Sequence, residues 1–305
     1  MRRSPGFMML EHLVVCPRAG LCNRMRAIAS AKRLCSKVGA RCTVAWDWGD
    51  YDALFDDDTE WVPYSAFTDS RGDFVVPGYH HICHLPIYKG GSRRNWRVPV
   101  TTHPHIALTS WFVFCAAEER LLRRYTAYEE QDIFPWFPKP HRSILEKVAE
   151  FRQAFFPPHT VGLHIRRTDN IGSNFRSPDK AYFKRADRLV DTGHHLFLAT
   201  DNQETLQLVS QRYGEKLIHY PKSSALERRW PRNSSNTQEI VDDMVDLWLL
   251  ASCEFVIGSR GSSYSRAAIL FNGSSRCETI NHPLGMLQYA LVQTRIHGRQ
   301  LFKHY

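Results

Sequence analysis

Several things are missing from this chain, and each absence narrows what it can be. No window approaches the roughly 18 apolar residues of a membrane-spanning helix. Near the start, Phe7-Met8-Met9-Leu10 follows Arg2-Arg3, but Glu11 and His12 interrupt the apolar run and no small-residue cleavage site follows. We therefore read no signal peptide and expect a cytoplasmic protein. The cysteines at 16, 22, 35, 42, 83, 115, 253 and 277 follow no framework spacing. Free, buried thiols in a reducing compartment are the expectation. The phosphate loop and the G-x-G-x-x-G fingerprint are both absent, so neither common nucleotide signature applies. Gly258-Ser259-Arg260-Gly261 lacks the G-x-S-x-G spacing of a serine hydrolase.

Acid is also in short supply. The 40 Lys and Arg residues outnumber 31 Asp and Glu, giving a formal charge of +9. That balance favours an anionic partner. The basic residues are dispersed rather than striped and no nucleic-acid motif is present, so we expect no nucleic-acid partner. The 305 residues are 43% hydrophobic and 23% charged, the composition of a globular chain with one large or two ordinary domains.

Two groupings invite a metal. Asp56-Asp57-Asp58 is an acidic triplet, but adjacent acids in a loop are ordinarily just solvated. His80, His81, Cys83 and His84 are too crowded for an ordinary zinc spacing. We expect no metal at either. Asn233 and Asn272 open formal glycosylation sequons, which arise easily by chance.

The first 50 residues read as strand-helix-strand. Leu13 to Cys16 is the strand, 17–20 the turn, and a helix follows with Leu21, Met25, Ile28, Leu34 and Val38 on one face. Gly39 stops it, and Arg41 to Trp46 is the next strand. Asn23 and Arg24 fall in the first helical turn, where Asn23 also suits a turn or capping role. Residues 47–104 give no clear pattern, Ile106 to Cys115 reads as a strand, and Ser143 to Phe155 as a helix. Pro157-Pro158 marks a break, so we place two domains at 1–155 and 156–305.

The second half alternates regularly. Strands are expected at 161–165, 196–199, 217–220, 255–257 and 277–280, with helices between them near 180–190, 204–213, 239–252 and 262–270. This argues a parallel sheet covered on both faces. The fold class is α/β: two Rossmann-like domains facing a central cleft.

Three strand ends carry polar groups: His164, Arg166, Arg167 and Asp169; Thr200 and Asp201; Ser259, Ser262 and Ser263. In a parallel sheet these ends share one edge, where ligands bind. Arg166 offers a fork for a phosphate. The helix opening at Ser262 offers free N–H groups and a positive dipole end. Asp201 or Asp246 can accept hydrogen bonds from a base or ribose. This composes a nucleoside-diphosphate site.

The sequence His164-Ile165-Arg166-Arg167-Thr168-Asp169 resembles the H-x-R-R-x-D motif of the fucosyltransferases that include the α1,6 enzymes and, more distantly, the protein O-fucosyltransferases. Leu196 to Asp201 is similar to their second motif. Asp246 to Leu250, followed by Gly261 to Arg266, is similar to their third. Gly20-Leu21-Cys22-Asn23-Arg24 resembles an Asn-bearing turn at the amino end of related enzymes. The resemblance covers the second half well and the first 50 residues loosely. It implies a GT-B fold, a GDP-sugar donor such as GDP-fucose in the carboxyl-terminal domain, a glycan acceptor, no required metal and no further cofactor. By the same resemblance, His164 and Arg166 would hold the diphosphate, and Ser262 and Ser263 would bind phosphate. Arg167 is counted in the donor set, although strand alternation would turn its side chain to the other face. Asp201 and Asp246 would contact guanine or ribose, and Asn23 would complete the donor set. Asp169 would be the general base or would hold the arginines in place. The α1,6 enzymes carry a lysine just after the motif's aspartate and a glutamate a few residues later, where this chain has Asn170 and Asn174.

Overall fold

The computed structural model describes residues 10–84, 97–110, 115–116, 132–168, 171–223 and 236–283, with Gly285 and Leu287. Asp169, Asn170, the basic stretch 90–94 and residues 224–235 lie outside the described residues. The chain forms two compact units, Met1–Arg142 with Asn233–Ile240, and Ser143–Arg232 with Val241–Tyr305.

The first unit is built on a parallel sheet ordered β3-β2-β1-β6-β4. Its strands are β1 (His12–Pro17), β2 (Arg41–Trp46), β3 (Glu60–Pro63), β4 (His80–His84) and β6 (His105–Ser110). A separate two-strand ladder joins β5 (Arg97–Val98) to β7 (Cys115–Ala116). Every residue of β1 is buried, as expected for the middle strand of a sheet covered on both faces. Helix α1 (Leu21–Val38) returns along the sheet and ends at Gly39, whose φ of +73° suits a residue without a Cβ. Helix α2 (Tyr51–Leu54) is one turn, capped by the Asp50 side chain. On one face Val14, Cys16, Ala45 and Ala107 pack under Val76, Tyr64, Phe67 and Phe74.

The second unit repeats the plan with the order β10-β9-β8-β11-β12, again all parallel. Here α3 (Arg142–Phe155) precedes β8 (Thr160–Ile165), and α4 (Ile171–Arg176) and α5 (Asp179–Asp191) precede β9 (His195–Thr200). Then come α6 (Gln203–Tyr213), β10 (Leu217–Ile218), α7 (Thr237–Ala251), β11 (Val256–Ser259), α8 (Ser263–Asn272) and β12 (Glu278–Ile280). Residues of α3 from Ser143 onward group with the second unit. The cause is aromatic packing: Phe151 meets Tyr220 at 5.4 Å between ring centroids, and Phe156 meets Phe197 at 5.2 Å.

Strand alternation sorts the residues of β8 onto two faces. Val161, Leu163 and Ile165 enter a core with Tyr182, Ala186 and Leu189 of α5. Gly162 turns the other way, toward α7. A Cβ there would lie 2.7 Å from Leu250 Cδ1 and 3.3 Å from its carbonyl oxygen. Glycine at 162 thus lets α7 lie close against β8. No helix among the described residues is long and apolar enough to cross a membrane.

Candidate functional site

His164 lies on the same face as Gly162, two residues nearer the strand's carboxyl end. It is buried, its ring stacks on Tyr264 with centroids 4.8 Å apart, and its Nδ1 lies 2.6 Å from Ser265 Oγ. The same hydroxyl oxygen accepts the Ser259 N–H at 2.7 Å. The hydroxyl keeps its own proton to offer to Nδ1, and in that arrangement the ring proton of a neutral imidazole sits on Nε2. Burial, reinforced by the nearby Arg166, lowers the His164 pKa to about 3, so the ring is neutral. Gly258 makes this seating feasible. A Cβ at 258 would sit 2.6 Å from Ser265 Cβ and 2.8 Å from its Oγ.

The two arginines that follow β8 part company, as alternation requires. Arg166 Nε pairs with Asp201 Oδ2 at 3.0 Å, and its N–H donates to Ser259 Oγ at 3.0 Å. Arg167 turns to the α5 side. It binds Asp179 through Nε at 2.9 Å and through Nη2, and it donates to the carbonyls of Ser177 and Arg166, each at 2.8 Å. Its guanidinium carbon also lies 5.8 Å from the centre of the Tyr182 ring. The Arg167 carbonyl takes a hydrogen bond from Asn174 Nδ2 at 2.9 Å. Arg167 therefore fastens the start of α5 to the end of β8.

Asp201 ends the neighbouring strand and is engaged through both oxygens. Oδ1 accepts the Arg167 N–H at 2.8 Å, and Oδ2 accepts the Thr168 hydroxyl at 2.5 Å beside Arg166 Nε. Burial alone would raise its pKa. The Arg166 guanidinium and these hydrogen bonds prevail, so the carboxyl stays below its ordinary range.

The third strand end, β11, delivers Ser259 and then a tight turn. Gly261 takes φ +82°, and Ser262 caps α8 by accepting the Ser265 N–H. Ser263 is the first helical residue, so Ser262 and Ser263 stand where the helix presents its amino-end N–H groups. Arg176 Nη1 lies 3.6 Å from the point a Cβ of Gly261 would occupy, which brings a further guanidinium to this turn. The end of α4 is tied down from two sides. Ser177 Oγ links the Ile280 carbonyl to the Arg260 N–H, and the Arg176 carbonyl accepts His282 N–H at 2.7 Å.

Asp246, on α7, is buried and paired with Lys222 Nζ at 2.8 Å. Tyr264 Oη approaches the same carboxylate oxygen, Oδ2, at 3.5 Å. Among the described residues no hydrogen bond is made to Oδ1. Burial pushes the Asp246 carboxyl up, and Lys222 opposes that shift. Sequence reading missed Lys222 and Arg176. Both stand in short polar segments without periodicity, and their partners are far away in sequence.

The remaining expectations fall elsewhere. Asn23 stands in the first unit, on the opening turn of α1, where its Oδ1 accepts from Arg26 at 3.3 Å. Beside it Arg24 is buried, bonded to the carbonyls of Pro17 and Ala19 at 2.8 Å each and ion-paired with Asp47. Asp57 of the acidic triplet pairs with Lys32 at 3.1 Å and caps the Thr59 N–H. His80 stacks flat on His103, with centroids 3.8 Å apart. The Asn272 amide is turned inward onto the carbonyls of Ala251 and Cys253, at 2.9 and 2.7 Å.

No family model and no curated protein matches the chain. Solved structures do. Fucosyltransferase NodZ from Bradyrhizobium aligns over 85% of this chain and 92% of its own, with a TM-score of 0.55 at 16% identity. An Arabidopsis thaliana FUT1 variant solved with GDP aligns over 87% and 69%, with a TM-score of 0.57 at 12% identity. POFUT1 solved with GDP-fucose aligns over 89% and 97%, with a TM-score of 0.52 at 12% identity. The chain has the fucosyltransferase fold. That fold is the GT-B α/β architecture, and both parallel sheets described above belong to it. The aligned share of the NodZ and POFUT1 chains exceeds nine tenths, so the likeness extends over both units.

Proposed function

We propose that this protein is an inverting, metal-independent glycosyltransferase that transfers fucose from GDP-fucose to a glycan. One observation carries the reading. The carboxyl ends of three adjacent parallel strands bring together His164, Arg166 seated on Asp201 and the amino end of α8, and Tyr264 of α8 links His164 to Asp246 of α7. Arg166 and the N–H groups at Ser262 and Ser263 suit a diphosphate. His164 Nε2–H and the Asp246 carboxylate suit a base that offers an acceptor beside N–H donors, as guanine does with O6, N1–H and its amino group. His164 is accordingly assigned to the base rather than to the diphosphate, because it stacks on Tyr264 beside Asp246. Asp201, with both oxygens engaged, is assigned to orient Arg166, and Arg167 to hold the strand end. NodZ and POFUT1 have been solved with GDP-fucose, which supports the choice of donor.

The chemistry follows from charge. As the sugar–oxygen bond lengthens, negative charge grows on the departing diphosphate while the sugar becomes oxocarbenium-like. A guanidinium and a helix end already in place stabilise that charge in the transition state more than in the ground state. These groups do the work a cation does in metal-dependent transferases. An acceptor hydroxyl attacks the opposite face of the sugar and inverts the anomeric centre. Asp169 is the carboxylate proposed to take the acceptor's proton. The test is release of GDP from a panel of GDP-sugars, with and without glycan acceptors, in excess chelator. Fastest turnover of GDP-fucose is expected. Preference for another GDP-sugar would replace the donor, and tight binding without any turnover would make the chain a nucleotide-sugar-binding protein.

A further inference from the structure

Lys222 follows β10, and its side chain is 13% exposed. Its ammonium lies 2.8 Å from Asp246 Oδ2 and 3.1 Å from Asp243 Oδ1. The next residue, Ser223, donates both its N–H and its hydroxyl to Asp242, at 2.7 and 2.5 Å. The short segment 222–223 is thus clamped on α7 by three carboxylates, of which Lys222 neutralises one. The arrangement has a direction. Lys222 and Tyr264 both act on Asp246 Oδ2, Tyr264 Oη also donates to the Asp243 carbonyl at 3.0 Å, and the Tyr264 ring stacks on His164. Oδ1, on the other edge of the carboxylate, takes no hydrogen bond among the described residues. A buried carboxylate with one edge clamped and the other unused is prepared for a ligand.

Building on the proposed donor site, we propose that Lys222 is its positioning residue: the ammonium fixes the charge and orientation of the Asp246 carboxylate, so that Oδ1 is presented to the N–H edge of the nucleobase. The electrostatics agree. The groups that face Asp246 are Asp243 on its own helix, Lys222 and Tyr220 from the segment after β10, Tyr264 from α8 and Cys253 beyond α7. Lys222 is the cation of that set. Without it, burial and Asp243 both push Asp246 toward its neutral form, which offers a base a poorer acceptor.

Two readouts test this on the full chain. The first is carboxyl-carbon NMR titration of wild type and Lys222→Met, with Asp246 assigned through Asp246→Asn. The Asp246 midpoint is expected to rise by at least one pH unit in Lys222→Met and to stay near wild type in Lys222→Arg. The second is GDP affinity from pH 6 to 9. Wild type and Lys222→Arg are expected to be nearly flat. Lys222→Met is expected to bind about tenfold more weakly at pH 6.5 for each unit the midpoint moves through that range, and to recover toward pH 9. If Lys222→Met does not fold, Lys222→Gln removes the charge and keeps donors, and is expected to behave the same way. An unmoved Asp246 midpoint, or a loss of affinity equal at every pH, would overturn the proposal. Failure of wild type to bind GDP, with the midpoint shift intact, would overturn the donor-site reading and leave only the hold of Lys222 on the Asp246 charge standing.

Discussion

Asp201→Asn is the perturbation whose consequence the structure fixes most tightly. The carboxylate accepts three contacts, from Arg166 Nε at 3.0 Å, Arg167 N–H at 2.8 Å and the Thr168 hydroxyl at 2.5 Å. An amide offers one oxygen and one NH2 group in their place. Whichever way it turns, its NH2 meets a donor, and Arg166 loses the Asp201 charge while remaining largely buried. Removing one partner of a buried charged pair costs about 3–5 kcal/mol. Partial exposure of Arg166, 18% for its side chain, argues for the lower end, about 3 kcal/mol. The loss should also depend on pH. Because the folded carboxyl titrates below its ordinary value of 3.8, its stabilisation is present above that value and is lost as pH falls through the folded pKa. The gap between wild type and variant should therefore be widest near neutrality and close in acid. Urea unfolding at pH 7 and at pH 3 measures both. A gap under about 1 kcal/mol at pH 7, or one that stays constant into acid, would refute the seating of Arg166 on an ionised Asp201.

Three further outcomes are expected. Arg166→Lys should keep the fold and lower turnover by roughly a hundred- to a thousandfold, since an ammonium cannot reproduce the guanidinium fork, whereas Arg167→Lys should lower the melting temperature more than the turnover; initial rates at saturating donor, with melts, separate the two. His164 is buried in neutral form with a pKa near 3 against an ordinary 6.5, so its contribution to stability is complete above 6.5 and declines by up to about 1.4 kcal/mol per pH unit as pH falls; unfolding at pH 7 and 5 should show that slope in wild type and less of it in His164→Gln. Gly258→Ala should cost about 1–3 kcal/mol by driving a methyl group into Ser265, and should weaken GDP binding through the His164–Ser265 bond; normal stability and affinity would show that Ser265 yields freely.

The second unit was legible because its strands are apolar runs broken by polar ends, and its helices carry regular apolar spacing. Strands β8, β9 and β11 fall within a residue or two of expectation. Alternation past the end of β8 also indicated that Arg166 and Arg167 would diverge. Region 47–104 was opaque because β3 and β4 are edge strands of four and five residues, with no buried stretch of their own. Helix α4 escaped notice because Ile171 to Arg176 is a six-residue turn containing glycine and asparagine, held by partners more than 80 positions away such as Arg260 and Ile280. The seating of Arg166 on Asp201 and of Lys222 on Asp246 was beyond sequence reading for a related reason. A carboxylate's partners across a strand end or a helix face are set by tertiary approach, and spacing along the chain carries no trace of them.

The most direct test of the whole account is calorimetric titration of GDP into wild type and Arg166→Ala in excess chelator, with UDP and ADP alongside. One saturable GDP site is expected in wild type without metal, with binding weakened in Arg166→Ala and weaker for UDP and ADP than for GDP. Absence of binding, equal affinity for UDP, or an Arg166→Ala variant that binds GDP as wild type does would contradict a guanine-nucleotide site at the carboxyl edge of the second sheet.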